Sequence, residues 1–472
     1  MAEENKNESL LGKYLLEKEC SRRTALKIMA ATGAGALLSG SILSSCKGGN
    51  NAASAAPLPK SPVGDNDKIT SRHWDSTGDT VGLLGLGCMR FPQKPGQGGG
   101  FGRGGAIDQD QVNAMVDYAI KHGVNYFDTA PAYGGSEEAT GIALSRYPRE
   151  SYYIATKMSN FQGGNLQSAK QMFETSLSRL KTDYVDYFLL HGASSKRDMD
   201  SRFVNNGVID YLMEQKKAGH IRHLGFSFHG SRSDMDYMLS LHKQYHWDFI
   251  QIQMNYVDWD AESNRNADAH YLYDQITKLN IPVVVMEPVR GGALANVNDT
   301  FRGMMAEAHP ELSPAGMALS FVGTFPGVMC VLSGMSNMEQ LTENVGTFVD
   351  FRPLSDKDQE LLLKIAQIQR DNSAIGCTGC RYCMPCAFGV DIPGNFSVYD
   401  KCANEYSLPN PAGPHDKDYS KNRRAFLNRY NALDEKARAE NCANCQACVS
   451  KCPQHINIPA QLDKIRKLVK EL

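Results

Sequence analysis

Between Arg72 and Phe351 the sequence alternates short apolar runs, rich in β-branched residues, with longer amphipathic stretches. Such alternation is typical of repeated βα units, because two parallel strands need a crossover long enough to hold a helix. Stretches such as Asp108–His122 and Val208–Ala218 have that length. Eight strand candidates can be counted: Val81–Cys88, Val124–Thr129, Tyr152–Lys157, Val185–Leu190, Ile221–Ser227, Phe249–Gln253, Pro282–Met286 and Val328–Leu332.

Eight strands with intervening helices predict an α/β fold and a closed (β/α)₈ TIM barrel over residues 71–352. An open, doubly wound sheet is the structural alternative. A glycine-rich stretch, Pro92–Gly105, interrupts the first strand-to-helix connection and is expected to form a loop. Beyond Phe351 the strand signal disappears, and helical segments Asp356–Gln369 and Gln461–Leu472 bracket two cysteine runs. We therefore predict a second, mostly α-helical domain over residues 353–472.

Length and charge limit the remaining classes of protein. A chain of 472 residues exceeds what one hydrophobic core usually organises, which agrees with two domains. The formal net charge is only -2, with Lys and Arg spread along the sequence. Because nucleic-acid binding needs a clustered basic surface, we expect no nucleic-acid partner.

The N-terminal residues 1–46 are interpreted as an export signal. Ser21–Lys27 contains the pair Arg22 and Arg23 before a weakly apolar run, and resembles a twin-arginine signal. Leu43–Cys46 resembles a bacterial lipobox, which would make Cys46 the lipid-bearing residue of a protein facing the periplasm or cell surface. Residues 47–70 have the composition of a flexible linker. The alternative is a cytoplasmic protein with a chance Arg pair.

Polar side chains stand at the ends of three consecutive predicted strands. Asp128 ends the second strand and Tyr133 follows it, Lys157 ends the third, and His191 follows the fourth. Because barrels of this kind keep their chemistry at the C-terminal face, we expect the four to converge there. A phenol, with a pKa of about 10, can protonate a carbonyl oxygen if an ammonium stabilises its anion. We therefore predict that Tyr133 donates the proton, Lys157 stabilises the phenolate, Asp128 holds Lys157, and His191 orients the carbonyl.

These residues resemble the Asp/Tyr/Lys/His tetrad of the aldo/keto reductases, and the resemblance extends over most of the barrel. It rests on Asn125–Tyr133, Gly135–Glu137, Lys157 and His191, and continues in Gly225–Ser227, Gln251–Tyr256, Met286–Pro288, Ser333–Asn337 and Glu343-Asn344. The family implies hydride chemistry on a small carbonyl or alcohol with NADP or NAD.

The resemblance also implies where the nicotinamide cofactor binds. The family stacks the ring on an aromatic near the seventh strand, holds the amide from the fifth and sixth strands, and grips the adenosine phosphates with the last loops. Relatives selecting NADPH usually place Arg or Lys where this chain has Ser336 and Gln340. NAD, NADP and a flavin therefore stay open. The implied cofactor contacts are Ser227, Gln253, Asn255, Gly334, Ser336, Gln340, Glu343 and Asn344.

Eight of the 13 cysteines fall in two tight runs. The second run ends in Cys452-Pro453 and reproduces the spacing of bacterial ferredoxins, in which the fourth cysteine ligates the other cluster. We predict two 4Fe-4S clusters, one held by Cys377, Cys380, Cys383 and Cys452, the other by Cys442, Cys445, Cys448 and Cys386. Zinc is the alternative, although its sites seldom use four cysteines in a row. A barrel with this tail resembles an aldo/keto reductase subgroup that carries a ferredoxin module.

Two functional hypotheses follow. The first is an oxidoreductase that couples carbonyl or alcohol hydride chemistry to electron transfer through the clusters, with a redox partner protein. The second is an electron-transfer or binding protein in which the barrel is a scaffold without catalysis, because a fold does not fix a function.

Overall fold

The computed structural model describes residues 63–94, 106–161, 163–262, 266–371, 374–377, 379, 381–405, 407–409, 411, 419–452 and 456–472. The predicted export signal with Arg22, Arg23 and Cys46 lies outside the described residues, as do most of the predicted linker, residues 95–105 of the glycine-rich loop, and Cys380. The chain divides into two compact units, one ending at Ile365 and the other running from Ala366 to Leu472.

A short hairpin precedes a closed barrel of eight parallel strands, which confirms the predicted fold. The hairpin strands are β1 (Ser71–Trp74) and β2 (Asp79–Gly82). The barrel strands are β3 (Leu84–Gly87), β4 (Tyr126–Asp128), β5 (Tyr153–Met158), β6 (Val185–Leu190), β7 (Ile221–Phe228), β8 (Phe249–Gln253), β9 (Val283–Met286) and β10 (Val328–Ser333). They follow chain order, and β10 closes the barrel by pairing with β3.

The first predicted strand, Val81–Cys88, is divided in the structure. Its start belongs to β2 of the hairpin and its centre to β3, with Leu83 between them. Position 85 in β3 requires glycine for a steric reason, because a Cβ on Gly85 would come within 2.5 Å of the Cys330 sulfur. The apolar run is continuous in sequence, so its pattern alone could not reveal the change of direction.

The helices of the barrel unit follow the strands they connect. They are α1 (Gln109–Lys121), α2 (Ser136–Leu144), α3 (Leu166–Leu180), α4 (Lys196–Met199), α5 (Val208–Ala218), α6 (Arg232–Ser240), α7 (His242–Tyr245), α8 (Ala269–Thr277), α9 (Asp299–Ala308), α10 (Pro314–Gly323), α11 (Met338–Phe348) and α12 (Asp356–Asp371). The division between the two units falls within α12.

The first helix illustrates how local sequence sets these elements. The Asp108 side chain accepts a hydrogen bond from the backbone N–H of Gln111, which caps the N-terminus of α1. Buried residues recur at helical spacing on one face: Val112, Met115, Val116 and Ala119. The Asp108 cap sets where the helix starts. The buried apolar residues determine which face of the helix packs against the barrel.

Side chains fill the barrel interior, and the hairpin packs against its N-terminal end. Val81 of β2 packs with Tyr126, Tyr187 and other buried interior residues. Asp79 accepts from the Tyr187 hydroxyl at 2.7 Å and pairs with Arg222 at 2.8 Å. The N-terminal end of the barrel is therefore occupied by the hairpin.

The second unit is mostly helical, as predicted. It contains α13 (Ile392–Asn404), α14 (Tyr419–Asn431) and α15 (Ile458–Glu471), with proline in the first turn of both α13 and α15. Its core is made from residues such as Phe396, Phe426 and Ile465. In the part of the chain that the structure describes, no helix is long and apolar enough to cross a membrane.

Candidate active site

The four predicted catalytic side chains lie at one end of the barrel. Asp128 is the last residue of β4 and Lys157 is the penultimate residue of β5. His191 directly follows β6, and Tyr133 is in the loop after β4. Parallel strands end on the same side, so these positions share the C-terminal mouth. The contacts described below make the four side chains neighbours there.

A buried ion pair forms the base of the site. The Lys157 Nζ donates to Asp128 Oδ1 at 2.6 Å and to the backbone oxygen of Thr129 at 2.8 Å. Lys157 is 1% exposed and Asp128 4%. Burial lowers the pKa of Lys157, but its interactions with the Asp128 carboxylate and the Tyr133 oxygen outweigh that effect, so the pKa is raised. The ammonium is therefore charged at neutral pH.

The Tyr133 phenol lies against this ammonium. The Lys157 Nζ is 4.9 Å from the centre of the Tyr133 ring. Burial raises the pKa of Tyr133, while the ammonium of Lys157 opposes that rise. Tyr133 is thus a protonated phenol at neutral pH beside a cation that stabilises its anion, which is the arrangement that proton donation needs.

His191 faces Tyr133 across the mouth. The two rings lie edge to face, with their centres 5.8 Å apart. Burial, followed by the positive charges of Lys157, Arg202 and His229, lowers the pKa of His191 to about 2. The imidazole is therefore neutral at physiological pH and carries a single proton.

The predicted cofactor contacts on the fifth and sixth barrel strands already have protein partners. Ser227 Oγ accepts from the backbone N–H of Gly192 at 2.9 Å. The amide of Gln253 donates to Asp258 at 2.7 Å and accepts from Asn266 at 3.0 Å. Asn255 is fully buried and holds a turn, since its Oδ1 accepts from the backbone of Val257 and Asp258 and its Nδ2 donates to Asp258 and to the Glu287 backbone.

The other predicted contacts lie in the loop after β10 and in α11. Gly334 approaches Arg90 closely, because a Cβ there would come 3.0 Å from Arg90 Cδ. The Gln340 side chain accepts from the Ser336 backbone N–H at 2.8 Å. Asn344 is buried and donates to Ser333 at 3.0 Å, whereas Glu343 is exposed.

The structure adds three polar residues that sequence reasoning did not select: Ser159, Arg202 and Gln251. Ser159 and Arg202 contact His191 through its side chain and its backbone oxygen, respectively. Gln251 is 2% exposed, and its Oε1 has no hydrogen-bond partner among the described residues. Strand periodicity could have identified Gln251 as a site residue, because it lies two residues before Gln253 and its side chain is on the same face of β8.

The seventh barrel strand departs from the aromatic that the resemblance implied. β9 ends in Met286, and Glu287 follows with φ 56°. A methionine can cover an aromatic ring with its polarisable thioether. The side chain that ends this strand is therefore a thioether in place of an aromatic ring.

The described predicted cluster ligands border the core of the second unit. Cys383 is buried within it, and Cys377, Cys386, Cys442, Cys448 and Cys452 pack against it. Cys445 is exposed. Burial, then the nearby thiols of Cys442, Cys445 and Cys383, raise the pKa of Cys448. Within the described ranges, no three His, Cys, Asp or Glu side chains are arranged to hold a metal ion.

Comparisons with known proteins agree with this organisation. A profile described as the aldo/keto reductase family matches residues 83–367, and one described as a 4Fe-4S dicluster domain matches residues 376–457. The uncharacterized oxidoreductase YqkF of Bacillus subtilis is 26% identical over 297 residues, covering 56% of this chain and 86% of that protein.

Two further similarities cover the barrel. The NADH-specific methylglyoxal reductase of Escherichia coli is 26% identical over 348 residues, covering 66% of this chain and 99% of that protein. The holo form of an aldo-keto reductase from Bacillus halodurans is 24% identical, with a TM-score of 0.50, covering 63% of this chain and 96% of that one. At this identity the solved structure supports the fold alone.

Proposed function

This chain belongs to the aldo/keto reductase family, and we propose that its barrel reduces small carbonyl compounds to alcohols and catalyses the reverse oxidation. The observation that carries the proposal is the buried Lys157–Asp128 pair beside Tyr133, with a neutral His191 across the same mouth. A buried ion pair is costly to assemble, and here it lies where a phenol can use its charge.

Each of the four side chains has one role in the proposal. As hydride reaches the carbonyl carbon, the carbonyl oxygen takes the proton of the Tyr133 hydroxyl, and the ammonium of Lys157 stabilises the phenolate left behind. Asp128 fixes Lys157 in its charged form and place. His191 donates a hydrogen bond to the same carbonyl oxygen and orients it. In the oxidation direction the phenolate takes the alcohol proton.

We propose a nicotinamide nucleotide as the hydride carrier, with NADH favoured over NADPH. The unpartnered Oε1 of buried Gln251 suits a carboxamide NH₂ group, and Met286 offers apolar surface to the ring. The segment 333–348 contains no Lys or Arg and carries Glu339 and Glu343, so it supplies no cation to a 2′-phosphate. The name of the E. coli relative agrees with this preference. When bound, the nucleotide supplies the hydride.

We also propose that the second unit holds two 4Fe-4S clusters with the ligand sets predicted above. The spacing of the two cysteine runs and the match to a dicluster domain support this. The anaerobically purified chain is expected to contain about eight iron atoms and about eight acid-labile sulfides, four of each per cluster. A content of about four would contradict the second cluster, and zinc in place of iron would contradict both.

The clusters would carry electrons one at a time, whereas a hydride carries two. Coupling the two units therefore requires a carrier that exchanges both, such as a flavin or an external redox partner protein. Anaerobic purification, cofactor extraction and absorbance spectroscopy test this directly. Addition of an alcohol substrate and NAD should bleach the cluster absorbance once that carrier is present. Cluster absorbance that never responds to substrate would contradict the coupling.

Carbonyl reduction itself is tested with the same anaerobic preparation. A panel of small aldehydes and ketones is incubated with NADH or NADPH, and cofactor oxidation is followed by absorbance. Turnover with NADH, and weaker binding of NADPH, are the expected results. No organic cofactor bound and no turnover with any carbonyl would favour the scaffold hypothesis instead.

For localisation we propose export by a twin-arginine-like route and anchoring through a lipid on Cys46, based on Ser21–Lys27 and Leu43–Cys46. An iron–sulfur protein must acquire its clusters while folded, which suits export of a folded chain. In cells expressing the full chain, Cys46→Ser is expected to move the protein from the membrane fraction to the soluble fraction. A Cys46→Ser variant that stays at the membrane would contradict lipidation.

A further inference from the structure

The side chain of Ser159 contacts the imidazole of His191. Ser159 directly follows β5, and its Oγ lies 2.6 Å from His191 Nδ1. We propose that Ser159 is a positioning residue whose hydroxyl donates to Nδ1 and thereby keeps the single imidazole proton on Nε2. The inference rests on the proposed function, because Nε2–H is then the group that donates to the substrate oxygen.

His191 is neutral at physiological pH. Burial, followed by the positive charges of Lys157 and Arg202, lowers the pKa of the His191 imidazole. A neutral imidazole has one nitrogen that donates and one that accepts. The hydrogen bond made by one nitrogen therefore sets what the other can do.

The Ser159 hydroxyl is the donor in the proposed hydrogen bond to His191. Among the described residues, the Ser159 hydroxyl has no second hydrogen-bond partner, so Nδ1 is the protein acceptor available to its hydrogen. In the opposite arrangement, Nδ1–H would donate to Oγ and the serine hydrogen would lack a protein acceptor. Nε2 would then present a lone pair to the carbonyl oxygen, which repels it.

The two loops that carry Ser159 and His191 are tied together by Arg202. Arg202 is 4% exposed and pairs with Asp198 at 2.9 Å. Its guanidinium donates to the backbone oxygens of His191 and Gly192 at 2.7 and 3.0 Å, and to the Asn160 side chain at 3.3 Å. Asn160 is next to Ser159 in the chain. Arg202 therefore holds the loop after β5 against the loop after β6, which keeps the Ser159–His191 distance short.

The tautomer of His191 can be measured by ¹⁵N nuclear magnetic resonance, independently of turnover. The full chain is labelled with ¹⁵N-histidine, and the His191 resonances are assigned by their loss in His191→Asn. In the parent chain the shifts are expected to place the proton on Nε2, and Ser159→Thr, which keeps the hydroxyl, should give the same pattern. Ser159→Asp offers only an acceptor, so it should move the proton to Nδ1.

Kinetics give a second measurement. Ser159→Ala should lower kcat by roughly tenfold with a smaller change in KM, because one hydrogen bond to the imidazole is lost. Ser159→Thr should stay near the parent, and Ser159→Asp should lose more than Ser159→Ala.

A parent spectrum with the proton on Nδ1 would overturn the inference, as would Ser159→Asp with its proton still on Nε2. The proposed function is judged separately. Absence of carbonyl turnover in the parent chain would refute it, whereas the nitrogen shifts would still decide the role of Ser159.

Discussion

Replacing Tyr133 with Phe is expected to lower kcat for carbonyl reduction by roughly a thousandfold, because the substitution removes the hydroxyl that gives its proton to the substrate oxygen. The ring would remain against Lys157, so the fold and the binding of NADH should change little. Initial rates under anaerobic conditions measure the loss. The thermal unfolding midpoint and the quenching of protein fluorescence by NADH measure what is retained.

A matched control comes from the outer layer of the barrel. The Tyr271 hydroxyl in α8 donates to Asp236 in α6 at 2.6 Å. Tyr271→Phe removes an equivalent hydroxyl whose hydrogen bond goes to a neighbouring helix and not to any of the four proposed catalytic side chains, and it should leave kcat unchanged. If Tyr133→Phe kept the parent rate, the proton would have to come from another group, and the roles proposed for Lys157 and Asp128 would fail as well.

Replacing Lys157 with Met is expected to abolish measurable turnover and to destabilise the barrel by about 3–5 kcal/mol, since a buried carboxylate would lose its partner. Asp128 is 4% exposed, and its Oδ2 has no hydrogen-bond partner within the described residues, so the carboxylate has little else to compensate it. The three tryptophans, Trp74, Trp247 and Trp259, all belong to the barrel unit. Urea unfolding followed by their fluorescence therefore reports on this unit.

The double variant Asp128→Leu with Lys157→Met separates stability from chemistry. Replacing both members of a buried ion pair by apolar residues of similar volume is often neutral or stabilising. The double variant should therefore unfold near the parent midpoint while remaining inactive. A double variant as unstable as Lys157→Met would indicate that the ion pair stabilises the fold more than apolar residues of similar volume do. Restored turnover would contradict the role of Lys157.

The positions of the tetrad could be predicted because each residue is tied to a strand end. Alternating apolar runs locate the strands, and parallel strands all end at the same mouth, so Asp128, Lys157 and His191 are placed together by topology alone. The boundary of the first strand could not be predicted. The hairpin and β3 share one apolar run, and the sequence pattern does not change at Leu83, where the hairpin gives way to the barrel.

The surroundings of His191 were not predictable in the same way. Arg202 lies in a π-helical turn over Asp200–Val204 and binds Asn160, 42 residues away, so its partners depend on how two loops meet in space. Ser159 looks like an ordinary loop serine in the sequence. The two cysteine runs predict how many ligands the clusters have. They do not predict which cysteines share a cluster. Spacing fixes neighbours within a run, whereas the crossing between runs depends on tertiary structure.

The hairpin at the N-terminal end of the barrel limits how ligands can enter and leave the barrel. Asp79 ties it to Tyr187 and Arg222, and side chains fill the barrel interior behind it, so protein side chains close this end of the barrel. Whatever enters at the mouth must also leave there. For the proposed reaction, the carbonyl compound, the alcohol and the nucleotide would therefore all use this one opening, so whichever molecule binds nearer the solvent would have to leave before the other.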